Sequence, residues 1–229
     1  MAPAAAVGYA GARPAARALS GMSSVLFLAH RLPYPPNKGD KIRSFHLLEA
    51  LRSRHRVHVG AFIDDADDDV AAREFATRVE SAYLPRLRPL WRRAVSARGF
   101  LTGRALTDEY YAHAGMRDWV ADAVRRHSPS AIVAFSSAMA QFVPAAVAGR
   151  VRVVVDFCDI DSDKWRQYAA THRGPLAAVY AREARTLEQR EVEIAATADA
   201  SLLVSEREAA AFRRLAAPSA ARIHAVRNG

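Results

Sequence analysis

Val25-Leu26-Phe27-Leu28-Ala29 is a continuous apolar run, the pattern of a strand buried on both faces. The proline-rich loop Leu32-Pro33-Tyr34-Pro35-Pro36 follows, then Gly39-Asp40. Asp40 predicts a helix cap, and Ile42, Phe45, Leu48 and Leu51, spaced by threes, predict the inner face of that helix. Val57, Val59 and Ala61 alternate with His58 and Gly60 as a second strand, which completes a strand–helix–strand unit. The alternation continues with a helix through Phe75 and Val79, a strand near Tyr83-Leu84, a basic helix over 88–102 and another over 114–127. Strands are predicted at Ala131 to Phe135 and Val151 to Asp156, and a long helix over about 176–196. Ser201 to Val204 reads as a strand running into the capping box Ser205-Glu206-Arg207-Glu208, and Ile223 to Val226 as the last strand. Such alternation predicts an α/β class with a mostly parallel sheet between helices. Ligands of such sheets sit beyond the carboxyl ends of the strands, which directs attention to 30–43, 135–141 and 156–165.

Composition narrows the function classes. A chain of 229 residues, 51% hydrophobic, can bury one large core or two small ones. The net charge of +9 suggests a polyanion partner, but only Lys38, Lys41 and Lys164 of the 33 basic residues are lysine. Arginine this dominant, beside so much alanine, is what a GC-rich coding sequence writes. Arg182-Glu183, Arg185, Glu188 and Arg190-Glu191 interleave the two charges, as on a solvated helix face. The signs of a nucleic-acid binder are missing, so nucleic acid is not an expected partner; a basic patch facing phosphates or anionic lipid stays open. The acidic run Asp64, Asp65, Asp67, Asp68 and Asp69 reads as a solvated loop. Cys158 is the one cysteine, which excludes an intrachain disulfide and fits a reducing cytoplasm. No apolar run reaches the roughly 18 residues that span a bilayer. Residues 1–21 lack the apolar core of a signal peptide and read as a disordered extension before Met22.

The segment from His30 to Arg43 carries the strongest chemical signal. It joins the first strand to the first helix, where free amides and the helix dipole favour an anion. Lys38 and Lys41 flank Gly39, which would let a diphosphate or another backbone approach closely. The alternative is a rigid proline turn with a solvated basic helix start. The dinucleotide fingerprint G-x-G-x-x-G is absent, so no nicotinamide cofactor is expected. Asp159, Asp161 and Asp163 alternate as calcium-loop ligands do, but Lys164 stands where glycine is needed and Ala170 where glutamate is needed. No metal or cofactor site is therefore assigned. The histidines do not fall at ligand spacing. Ser136 and Ser137 lack the Gly-x-Ser-x-Gly elbow of a hydrolase.

The 30–43 segment resembles the first loop of family 4-type glycosyltransferases, and is similar to the sugar transferases associated with PEP-CTERM/exopolysaccharide systems. Phe135 to Gln141, Val155 to Tyr168 and Val204-Ser205-Glu206 are similar to that subgroup as well, in order over about 22–229. The resemblance implies a GT-B fold, two Rossmann-like three-layer domains facing a cleft, with 22–229 as the N-terminal, acceptor-side domain. It implies a nucleotide-sugar donor, a glycan or lipid-linked acceptor and no metal. Lys38, Gly39, Asp40, Lys41 and Arg43 would form the loop facing the donor diphosphate. Ser136, Ser137, Asp156, Asp159, Asp161, Lys164 and Trp165 would meet the acceptor, although an aspartate-rich helix start is the plainer reading of 159–163. In that family the last strand leads into an Asn-Gly hinge, so the chain, ending on Asn228-Gly229, is expected to lack the donor domain and to be inactive alone. Two alternatives stand beside this: a non-catalytic carbohydrate- or partner-binding module, and a metal-dependent GT-A transferase using Asp159 and Asp161. Finally, 86–101 sets Leu87, Leu90, Trp91, Ala94 and Val95 on one helical face and Arg88, Arg92, Arg93 and Arg98 on the rest. That pattern suits either a helix packed on the sheet or one lying peripherally on the inner face of the plasma membrane.

Overall fold

The structure, a computed structural model, describes residues 8–9, 22–65 and 68–228. In chain order its elements begin with β1 (Gly8–Tyr9), β2 (Ser24–Ala29), α1 (Gly39–Arg52), β3 (Arg56–Ala61), α2 (Asp68–Ala76) and β4 (Ser81–Tyr83). Next come α3 (Pro89–Ser96), α4 (Gly99–Thr102), α5 (Leu106–Tyr111), α6 (Ala114–His127) and β5 (Ala131–Phe135). The rest is β6 (Arg152–Cys158), α7 (Asp161–Thr171), α8 (Pro175–Thr197), β7 (Ala200–Leu203), α9 (Glu206–Leu215) and β8 (Ile223–Ala225). Apart from Gly8–Tyr9, the extension expected over 1–21 lies outside the described residues.

Contacts divide the chain into two units. The first comprises Met1–Pro89, His113–Phe135 and Phe142–Arg152. Its strand order is β1-β4-β3-β2-β5, parallel except for β1, whose Gly8 and Tyr9 stand opposite Tyr83 and Ala82. β2 lies between two parallel neighbours and every residue of it is buried, as its unbroken apolar run requires. In β3 even His58 and Gly60, expected to alternate outward, are buried. Gly60 is small because α6 comes down on it: a Cβ there would stand 2.8 Å from the Met116 sulfur and 2.9 Å from Trp119. The second unit comprises Leu90–Ala112, Ser136–Gln141 and Val153–Gly229. Its strands β6-β7-β8 are parallel, and α9 packs against β7 and β8, with the Phe157 and Phe212 rings 4.8 Å apart. The class is the one the alternation predicts: α/β, Rossmann-like, a mostly parallel sheet with flanking helices.

Several local expectations are corrected. Ile42 is 41% exposed, while Lys41, Ser44 and Leu48 turn inward, so α1 buries a face one residue round from the apolar stripe. The reason is long-range: Lys41 is drawn inside by Asp68. Lys38, not Asp40, occupies the cap position of α1. The capping box at α9 is half formed. Ser205 Oγ accepts from the Glu208 amide at 3.2 Å, but the Glu208 carboxylate accepts from the Ile160 amide. The basic helix expected over 88–102 is two helices, α3 and α4, separated by a turn.

Candidate functional site

In the first unit, the loop after β2 and the start of α1 form a network of ion pairs. Asp40 receives His30 Nε2 at 3.4 Å and Arg31 Nη1 at 3.2 Å, and Arg31 Nε reaches Asp64 at 2.6 Å. The hydrogen bond from His30, helped by the charges of His30 and Arg31, holds the Asp40 carboxyl far below its ordinary range despite partial burial. His30 also stacks on Phe135, ring centroids 5.8 Å apart. Lys41 is 2% exposed, and its ammonium donates to both oxygens of Asp68 at 2.9 and 2.7 Å. Lys38 reaches Asp65 at 3.3 Å near the surface, and Arg43 is buried. The acidic run is thus not a solvated loop: Asp64, Asp65 and Asp68 each hold a cation of the 31–41 segment, while Asp67 lies outside the described residues. Of the five residues proposed from the sequence for this loop, Lys38 and Gly39 stay at the surface, and an added Cβ on Gly39 would meet nothing within 4 Å.

The second unit gathers the other predicted residues. Ser136, just past the end of β5, and Cys158, the last residue of β6, adopt φ of 79° and 62°, a region costly for side chains with a Cβ. The Ser136 amide donates to the Asp156 carbonyl at 2.8 Å, and the Cys158 amide donates to the Asp156 carboxylate at 3.0 Å. These bonds hold the two strained turns in place. Ser137 Oγ donates to Asp161 at 3.2 Å, and Lys164 spans Asp159 at 3.0 Å and Asp161 at 3.5 Å. Burial works against the Lys164 charge, but Asp161 and Asp159 outweigh it and hold the ammonium above its ordinary range. Trp165, on the next turn, packs against Tyr180 and Tyr168 with centroids 5.4 and 5.9 Å away. Ser137, Asp159, Asp161 and Lys164 therefore form one polar cluster, with Trp165 beside it. Asp156, 1% exposed, lies under the strand end.

Sequence reasoning passed over the carboxylates of α8. Glu183 and Glu191, expected on a solvated face, are each 0% exposed. Glu183 accepts from the Leu106 and Thr107 amides at 2.8 and 2.9 Å, capping α5. Glu191 accepts from the Ser162 amide at 3.1 Å and from Ser162 Oγ at 2.6 Å, capping α7. Each carboxylate thus satisfies helix-end amides that would otherwise be orphaned. The available signal was the spacing: Glu183, Leu187 and Glu191 recur every four residues, on the stripe completed by Ala184, Ile194 and Ala195.

No family model matches the chain, and no curated protein matches it. Solved structures do. UGT2 of Phytolacca americana, complexed with UDP-2fluoro-glucose and pterostilbene, superposes with a TM-score of 0.54 at 10% identity, over 90% of this chain and 54% of that one. TcCGT1 in complex with UDP superposes with a TM-score of 0.52 at 13% identity, over 91% of this chain and 51% of its own. These neighbours are GT-B glycosyltransferases, and the likeness is one of fold. The chain spans about half the length of each.

Proposed function

We propose that this chain is the acceptor-side half of a GT-B glycosyltransferase of the family 4 type. When complete, it moves a sugar from a nucleotide-sugar donor to a glycan or lipid-linked acceptor in exopolysaccharide or cell-surface polysaccharide synthesis. The observation that carries this reading is the match of nine-tenths of the chain to half of two UDP-bound glycosyltransferase structures. In this reading Lys38 and the open side of Gly39 face the donor diphosphate, while Asp40, Lys41 and Arg43 act by holding that loop. Asp159, Asp161, Lys164 and Trp165 meet the acceptor, supported from below by Ser136, Ser137 and Asp156. Paired carboxylates and an ammonium suit sugar hydroxyls, and an aromatic ring suits a sugar face. The GT-A alternative has less support, because Asp159 and Asp161 both hold Lys164 and the fold neighbours are GT-B. The reading places the protein in the cytoplasm, resting peripherally on the inner membrane face. Its support is the exposure of Leu90, Trp91, Phe100 and Leu101 among arginines. No described helix is long and apolar enough to cross a membrane.

Glycosyl transfer needs the leaving diphosphate held and its charge stabilised in a water-poor cleft, which a single half does not provide. Calorimetry with UDP- and GDP-sugars should show no binding to the 229 residues tighter than millimolar, and no transfer. A GT-B donor-binding half, fused or added in trans, should restore both. Metal-independent transfer by these residues alone would overturn the reading.

A further inference from the structure

Within the second unit, the loop from α4 to α5, the start of α5 and one face of α8 border an open cavity of about 320 Å³ lined by Arg104, Asp108, Thr186, Gln189, Arg190 and Glu193. We propose that this cavity is a binding subsite for one neutral sugar ring of a saccharide ligand, held by Asp108 and the guanidinium groups beside it. The identification of the saccharide as acceptor rests on the glycosyltransferase reading; the binding itself does not.

Three observations carry it. First, Asp108 is 4% exposed, and among the described residues its carboxylate pairs with Arg190 Nε alone, at 3.5 Å, too long for a sound hydrogen bond. Asp108 lines the pocket, and its carboxylate keeps lone pairs that a ligand hydroxyl can donate to. Burial pushes its pKa up to about 6, against the pull of Arg190 and Arg104. Second, the charges are internally matched. Arg104 pairs with Glu109 at 3.0 Å, and Arg190 with Glu193 at 3.3 Å besides Asp108. No guanidinium is left over for an anion, and each carboxylate already faces a cation. What remains is donors and acceptors side by side, Gln189 adding both kinds and Thr186, whose hydroxyl donates to the Arg182 carbonyl at 2.9 Å, adding an acceptor, which is what vicinal hydroxyls of a neutral sugar can bridge. Third, the walls are fixed. Glu183 clamps the start of α5 to α8, Gln141 Nε2 donates to the Asp108 carbonyl at 3.1 Å, and Arg182 reaches the Arg104 carbonyl at 2.9 Å. A rigid wall of this kind is what a small polar ligand needs for affinity.

The test uses the chain alone, with no donor present, so its result is independent of whether transfer occurs. Saturation-transfer NMR and amide shift mapping are run with D-glucose, D-mannose, N-acetyl-D-glucosamine, D-glucosamine and D-glucuronate. At least one neutral sugar should bind, shifting amides in 103–108 and 186–193, and should bind more tightly than glucosamine or glucuronate. Asp108→Leu should weaken it at least tenfold while leaving the melting temperature at pH 7.5 unchanged or raised, because Arg190 keeps Glu193. The surface double variant Thr186→Val/Gln189→Ala should weaken binding several-fold with the fold untouched. Binding by none of the neutral sugars, preference for either charged sugar, or a lower melting temperature in Asp108→Leu without loss of binding would each overturn the proposal.

Discussion

His58 sits in β3 with its ring stacked on His127 at 3.8 Å and its Nδ1 2.8 Å from Ser81 Oγ. Its Nε2 is buried without a hydrogen-bond partner among the described residues. A charge there would have neither water nor a counter-ion. Burial first, then the charges of His127 and Arg56, push the His58 pKa down to about 4. The unfolded chain takes a proton near 6.5, so between 6.5 and 4 it binds the proton that the folded ring refuses. The contribution to stability is full above about pH 6.5 and is lost as pH falls through 4, at most ~3 kcal/mol. Urea unfolding at pH 7 and pH 5 should show this loss in the parent protein. His58→Gln, which cannot take up that charge, should show a smaller loss. An equal loss in both would assign the acid sensitivity to another group. The alternation of Val57, Val59 and Ala61 with His58 and Gly60 points His58 outward, because strict alternation is the mark of a strand with one wet face. α6 lies over Gly60, α1 also packs against β3, and every residue of β3 after Arg56 is buried.

At the scale of elements, α8 holds two neighbouring helices by their N-termini, through Glu183 on α5 and Glu191 on α7. Burial pushes Glu191 up to about 7, against the hydrogen bonds from Ser162 that favour its charge. The sign is opposite to that of His58. The folded state binds the Glu191 proton more tightly than the unfolded state, so its contribution is full below about pH 4.5 and is lost as pH rises through 7. Glu191→Gln keeps an acceptor for Ser162 without the charge. It should therefore raise stability at pH 8 relative to the parent, and flatten the pH dependence between 4.5 and 7. A loss of stability at pH 8 would mean that the ionised carboxylate is what α7 requires. The βα alternation, and the spans of α6 and β5 in particular, were legible in the sequence, since periodicity over one element suffices to find them. The same was true of the polar residues at 159–165, which follow a strand end. What could not be read were pairings made across the chain. Lys41 with Asp68, Glu183 with α5 and Glu191 with Ser162 are separated by 27, 76 and 29 positions. Such contacts turn a charged residue inward without leaving a local mark, and they moved the buried face of α1 and the assignment of α8.

Taken over the whole molecule, the net charge of +9 is not spread evenly in effect. Arg31, Arg52, Arg78, Arg86, Arg104, Arg125, Arg166 and Arg213 each meet a carboxylate, as do Lys38, Lys41 and Lys164. Arg88, Arg93 and Arg98 are exposed and meet none among the described residues. Along the chain they flank Leu90, Trp91, Phe100 and Leu101, which are 82%, 65%, 49% and 91% exposed. This corrects the simpler view of 86–101 as a stripe packed on the sheet with its arginines outside: Leu87 is buried, but the apolar residues that follow are not. Arg92 is the arginine that turns inward, donating to the carbonyls of Glu109, Tyr110 and Ala112 at the end of α5. The proposed membrane contact therefore depends on a subset of the basic residues. Sedimentation with phosphatidylglycerol vesicles at low salt should carry the protein down, with release as salt rises and no binding to phosphatidylcholine. Arg88→Glu/Arg93→Glu/Arg98→Glu should abolish pelleting without lowering the melting temperature, because these side chains make no ion pair or hydrogen bond among the described residues. Leu90→Ser/Trp91→Ser/Leu101→Ser should weaken binding and make the residual attachment more sensitive to salt, since only the electrostatic part would remain. Arg92→Glu, by contrast, should lower the melting temperature by stripping the end of α5 of its donors. Pelleting that survives the triple arginine reversal, or that is equal on neutral vesicles, would rule out an anionic membrane as the partner of this surface.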